Sequence, residues 1–172
     1  MRTILRMRSA ALGLALVAAL TSAPGCGSSD DIWITGTLLK GGAPLACPPN
    51  RTMNITLLAV DVKGEDGKPV SAGEPYPARV NEADGSFVVP GPDGKGIPKG
   101  RYRVSLIQRP TAAAVRETRE KSGKAKPISR ETDFFKNQFN GETSPIVRDL
   151  NSSSKLTIDL DHPTAEHVDT LR

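Results

Sequence analysis

Strict alternation of apolar and polar residues is what most limits the shape this chain can take. In "KLTIDLD", residues 155–161, Leu156, Ile158 and Leu160 alternate with Lys155, Thr157, Asp159 and Asp161. A period of two places the two sets on opposite sides of an extended strand, whereas a helix would repeat its apolar positions every three or four residues. "RYRVSLIQ" repeats the pattern, with Tyr102, Val104 and Leu106 against Arg101, Arg103 and Ser105, and "TMNITLLAV" sets Met53, Ile55 and Leu57 against Asn54 and Thr56. Each such strand buries one face and wets the other. Aspartate is therefore expected to be costly at Leu106 or Ile158 and mild at Ser105 or Thr157.

Four shorter runs, "IWITGTLLK", "YPARVNE", "SFVVP" and "SPIVRDL", lie between turn-forming clusters such as "GGAPL", "GEDGKP" and "GPDGKGIPKG". About seven short strands at this spacing predict an all-β chain, and two packed antiparallel sheets, a β-sandwich, bury their apolar faces best. "PARVNEADGSFVV" is the clearest hairpin, with Asp84-Gly85 between two strand-like runs. The sandwich is expected over 32–161, with a long polar insertion at 109–144 before the last two strands and a polar, solvated tail at 162–172.

The N-terminus has a different character. Arg2, Arg6 and Arg8 precede the apolar run "AALGLALVAAL", residues 10–20, as in the charged and hydrophobic parts of an export signal. A bilayer takes roughly 20 apolar residues, so this run is read as a removable signal and not as an anchor. Two cleavage sites compete. A cut after "TSA" at Ala23 would leave Pro24 next to it; a cut before Cys26 avoids that proline. "APGC" resembles a bacterial lipobox, although Ala23 stands where leucine is commonest and Pro24 is unusual. The resemblance implies a signal peptide over 1–25, diacylglycerol on the Cys26 thiol, and a flexible tether over 26–31. Two acyl chains anchor stably where one is marginal. Gly27 follows the cysteine where an aspartate would act as a retention signal, which favours passage to an outer membrane in a cell that has one.

Three of the 23 basic residues sit in the signal while all 19 acidic residues follow it, leaving the mature chain at +1. That balance argues against nucleic acid as a partner, which wants a strongly basic domain. The charge is unevenly spread. Residues 109–130, "RPTAAAVRETREKSGKAKPISR", hold seven basic and two acidic residues, +5, which leaves the rest of the mature chain at −4. "TAAAVRETREK" has the composition of about two helical turns, and Phe134, Phe135 and Phe139 just beyond it are placed to pin the insertion to the body. Arg116, Arg119, Lys121, Lys124 and Lys126 are the candidate contacts to an anionic surface: lipid headgroups, an acidic envelope polymer, or the acidic body of a neighbouring copy.

"ITGTLLKGGAPL", "NEADGSFVV" and "GIPKGRYRVSL" resemble, in that order, the carboxypeptidase regulatory-like and transthyretin-like β-sandwich modules. Those read as V-x-G-x-V with G-x-P, then a D-G-x-F hairpin, then P-x-G-x-Y-x-V. The resemblance covers Ile32 to Gln108. It implies a transthyretin-like or Ig-like fold used as a structural, adhesive or binding module, with Gly85 permitting a turn, Phe87 and Tyr102 filling the core, and Gly100 letting the chain bend into its strand. The insertion departs from the compact form.

Residue types that carry chemistry are sparse. The two histidines, His162 and His167, fall with Glu166 in the C-terminal tail, where nothing fixes them as metal ligands. Transthyretin-like hydrolases use histidines in the body of the fold and a Tyr-Arg-Gly-Ser ending; this chain ends "DTLR". Glu65, Asp66, Asp84 and Asp93 lie in glycine-containing loops and are read as turn residues, since calcium wants six to eight converging oxygens. Cys47 has no nearby base to make it a nucleophile and no disulfide partner if Cys26 carries lipid; otherwise the two thiols are able to pair. No catalysis, cofactor or metal is expected. The expectation is a membrane-anchored structural or binding module of the cell envelope, facing the periplasm or exterior, with an envelope polymer or protein as partner. The alternative is a soluble secreted carbohydrate-binding module or hydrolase accessory subunit, for which Trp33, Tyr76 and Tyr102 would have to be exposed together.

Overall fold

The alternating runs are strands in the computed structural model, which describes residues 31–63, 71–122, 128–129 and 131–171. In chain order they are β1 (Ile34–Lys40), β2 (Ala43–Pro44), β3 (Arg51–Val62), β4 (Pro75–Pro77), β5 (Arg79–Val80), β6 (Ser86–Val89) and β7 (Gly100–Pro110). A helix, α1 (Ala112–Lys121), precedes β8 (Val147–Leu150), β9 (Ser154–Asp159) and β10 (Val168–Thr170). Two sheets result. One runs β10-β9-β1-β6-β5, with β2 folded back on the end of β1, and the other runs β4-β3-β7-β8. The fold is all-β, as the alternation predicts.

In β1, β3, β7 and β9 the apolar face that the alternation marks is buried. Ile34, Leu38, Phe87, Val89, Leu156 and Ile158 of the first sheet join Met53, Ile55, Leu57, Tyr102, Val104 and Leu106 of the second in one buried cluster. Burying each such side chain contributes about 1.5–3 kcal/mol. Gly36 lies in the same interior, directly opposite Phe87 in the β1–β6 ladder. A Cβ there would stand 2.3 Å from Phe87 Cζ, so the glycine is the space the ring occupies.

Three features depart from a purely antiparallel, hairpin-built body. β1 and β9 pair in parallel, from Ile34 opposite Ser154 to Leu39 opposite Asp159. No tight turn joins strands so far apart in sequence, so β9 takes its direction from β8 in the facing sheet; a parallel pair needs just such a long crossover. "YPARVNE" is divided between the sheets, β4 beside β3 and β5 beside β6, with the Ala78 N–H donating to the Ile55 carbonyl at the crossing. Pro75 and Pro77, which have no N–H to give a ladder, sit on the edge strand. The β5–β6 hairpin is present, but its loop is not the two-residue turn that Asp-Gly suggests. Gly85 has φ +68° and Asp84 is not left-handed, whereas a type I′ turn needs both. The Gly85 N–H instead donates back to the Asn81 carbonyl, and Asp84 Oδ1 accepts the Ser86 N–H.

Much of the insertion belongs to the body. After α1, the chain returns alongside β7: the N–H groups of Phe134, Leu106 and Val104 donate to the carbonyls of Gln108, Phe139 and Ile146 respectively. Asp133 is buried and accepts the N–H groups of Gln108, Phe135 and Asn137. Phe139 and Ile146 enter the core. Ser105 is thereby covered, its hydroxyl accepting the Gly141 N–H at 3.0 Å, so aspartate at Ser105 is not the mild change the alternation suggests. The tail is held as well, because β10 pairs antiparallel with β9.

Candidate functional site

The basic segment begins at the end of β7. Thr111 caps α1 by accepting the Ala114 N–H on its hydroxyl, the arrangement that satisfies an otherwise orphaned first-turn donor. Val115 is the buried residue of the helix, and Arg116, Arg119 and Lys121 are exposed. Arg116 and Arg119, three residues apart, are neighbours on the helix surface. Lys121 is turned away from them and pairs with Glu117 one turn back; that bond holds the Glu117 carboxyl below its ordinary pKa. Two of the five candidate cations are thus brought together and a third is engaged within the helix. Lys124 and Lys126 lie outside the described residues, as does Cys26.

The position of α1 matters as much as its charge. Ile32 bridges Ile97, three residues before β7 begins, so Asp31 and the start of β7 share one end of the body. β7 then runs eleven residues, about 33 Å at roughly 3.3 Å per residue. The basic helix therefore lies at the end opposite Asp31.

Among the described residues, that far end also carries the cluster that contains a thiol. Gln108 is buried; its side-chain N–H points at Cys47 Sγ at 3.6 Å and its carbonyl oxygen accepts from Arg51 Nη1 at 3.2 Å. The Arg51 guanidinium lies 3.5 Å from the Phe134 ring centroid. Burial pushes the Cys47 thiol pKa up, and Glu82 adds to this, against the opposing pull of Gln108 and Arg51. A raised pKa is the reverse of what a thiolate nucleophile needs.

The three aromatic residues that would form a sugar platform do not meet. Trp33 is 46% exposed, but Tyr76 and Tyr102 are buried and pack edge to face at 5.7 Å. The Tyr102 hydroxyl donates to the Pro98 carbonyl at 2.5 Å, and burial pushes the pKa of both phenols up. His162 Nδ1 lies 3.1 Å from Asp159 Oδ2, the His167 carbonyl accepts the Thr157 N–H, and no metal-sized group of histidine, cysteine and acidic residues forms among the described residues. Glu65 and Asp66 lie outside the described residues.

The clefts formed by the described residues include two shallow ones. One of about 160 Å³ is lined by Leu58, Val60, Gly73 and Arg103; another of about 250 Å³ is lined by Asp31, Tyr76, Asp93, Lys95 and Pro98. Both are smaller than the several hundred Å³ of an ordinary ligand pocket.

Sequence reasoning missed Arg148. It lies on the core face between Ile146 and Leu150 and is 1% exposed. Its guanidinium donates to the carbonyls of Val147, Pro163 and Ala165, which ties the C-terminal segment to β8. Burial lowers its pKa and Glu166 partly restores it. The only signal in the sequence is an arginine where "IVRDL" calls for an apolar residue. No family model, curated protein or solved structure matches the chain.

Proposed function

We propose that the chain is a lipid-anchored, extracytoplasmic β-sandwich of the transthyretin-like, carboxypeptidase regulatory-like kind, acting at the cell envelope as a structural or binding module without catalysis. The observation that carries the reading is the export-type N-terminus ending in Cys26, five residues ahead of Asp31, where the fold begins. Several features support it. Two sheets share one core, Gly36 of the first motif is covered by Phe87 of the second, and Tyr102 of the third closes onto Pro98. The burial of Tyr76 and Tyr102 speaks against the alternative of a secreted sugar-binding module.

The anchor is tested by Cys26→Ala. The parent should take up labelled fatty acid and sediment with membranes. The variant should lose the label and shift its membrane partition by more than about a hundredfold, given roughly 0.8 kcal/mol for each buried CH₂ of two acyl chains. Equal partition of variant and parent would refute the anchor.

The separation of +5 in residues 109–130 from −4 in the rest of the mature chain supports a second contact. Because α1 lies opposite Asp31, its partner on this reading is an acidic envelope polymer or the acidic body of a neighbouring copy, away from the anchoring bilayer. In a Cys26→Ala background, glutamine at Arg116, Arg119, Lys121, Lys124 and Lys126 should abolish self-association or retention on an anionic polymer. The parent's binding should weaken steeply with salt, since such attraction reaches only about 8 Å at physiological ionic strength. Unchanged binding in the variant would reduce the segment to a solvated loop.

A further inference from the structure

Trp33 is the single tryptophan of the chain and is 46% exposed, on the outer side of the first sheet. Its surroundings are specific. The Trp33 backbone N–H donates to Ser153 Oγ at 3.0 Å, and the Leu171 backbone N–H donates to the Ser153 carbonyl at 2.8 Å. Leu171 is itself 41% exposed. Ser153 thus holds two exposed apolar residues from opposite ends of the chain at one end of the body. That end is the one where Asp31 enters, and the loop carrying the exposed Lys95 lies there too, since Ile97 bridges Ile32.

We propose that this end, with Trp33 and Leu171 at its surface, docks on the headgroup and upper acyl region of the bilayer that holds Cys26. The inference rests on the anchor reading above and adds an orientation to it. The five residues from Cys26 to Asp31 span at most about 18 Å at 3.3–3.6 Å each. A domain of roughly 140 residues has a radius of gyration near 14 Å, hence a diameter of about 35 Å or more. A tether shorter than the body it holds keeps the Asp31 end against the membrane and the basic helix away from it. An indole with a leucine at the same end of the body fits that boundary, where an apolar ring is buried and its own N–H stays wet. The cleft at this end places Asp31 and Asp93 with Lys95, so local charge is mixed. Docking is carried by apolar contact and is insensitive to salt, unlike the contact proposed for α1.

The sole tryptophan is its own reporter. The acylated protein is extracted from membranes and reconstituted into phosphatidylcholine vesicles, with and without brominated acyl chains, at low and high salt. Relative to Cys26→Ala protein in buffer, Trp33 emission should move to shorter wavelength. Bromolipid should remove about half of its intensity or more at both salt concentrations, as for a ring at the acyl boundary. Leu171→Asp should restore the aqueous spectrum while leaving the acyl chains in place. Acylated protein whose Trp33 stays water-like and unquenched by bromolipid would overturn the docking and leave the anchor standing, as would quenching that persists unchanged in Leu171→Asp. A mass spectrum showing no acyl group on Cys26 would remove the anchor, and the docking with it.

Discussion

Gly36→Ala is expected to destabilise the domain by about 3 kcal/mol and to lower its thermal midpoint by about 10 °C, the upper range for overpacking a core. The cause is a single methyl group. A Cβ at Gly36 would stand 2.3 and 2.5 Å from Phe87 Cζ and Cε1, and 2.8 Å from the Leu156 carbonyl oxygen. β1 cannot move aside, because Gly36 is paired with Phe87 of β6 on one side and with Leu156 of β9 on the other. Against a total stability of about 5–15 kcal/mol that loss is severe. A double-mutant cycle with Phe87→Leu isolates the cause: the pair should be less destabilised than the two single changes added together, by about 1 kcal/mol or more. Strict additivity in thermal melts would show that the ring is not what excludes a side chain at Gly36.

Arg148→Ala is expected to cost about 3 kcal/mol and to release the C-terminal segment before the rest of the fold. The guanidinium donates to three carbonyls, at 2.8 Å to Val147, 3.2 Å to Pro163 and 2.7 Å to Ala165, while its Nε has no partner. Removing it leaves carbonyls without donors, at about 1–3 kcal/mol for a buried group, and opens a cavity beside Ile146 and Leu150. The cost of burying an unpaired charge is relieved at the same time, which keeps the net effect below the sum. Amide hydrogen exchange separates the parts: protection should fall first at β10 and the residues before it, with β3 and β7 following only on global unfolding. Unaltered exchange at β10 would mean that the β9–β10 ladder, and not Arg148, holds the tail.

The outward-facing residues of the basic segment were visible as composition. Their arrangement was not. A charge count cannot tell that Lys121 pairs with Glu117 or that α1 stands at the end opposite Asp31; the first depends on helical phase and the second on the direction of β7. Trp33 illustrates the opposite case. It stands between Ile32 and Ile34 in a run of period two, and because both isoleucines are buried the tryptophan is turned outward.

What the sequence determined alone was local: where the strictly alternating strands run, which of their faces is apolar, and that Gly85 ends a hairpin. These follow from contiguous residues, since a period of two acts within one strand whatever it pairs with. Partner choice was left to the tertiary structure. The parallel pairing of β1 with β9, the division of "YPARVNE" between two sheets and the return of residues 133–146 along β7 all join segments distant in the chain. "DFFKNQFNGETSPI" has no alternation to announce an edge, because its hydrogen bonds to β7 come through turns and the Asp133 carboxylate. Arg148 is the limiting case. Its polarity marks it for solvent, and only the arrival of the Pro163 and Ala165 carbonyls, set by the closure of the whole fold, makes a buried place for its charge.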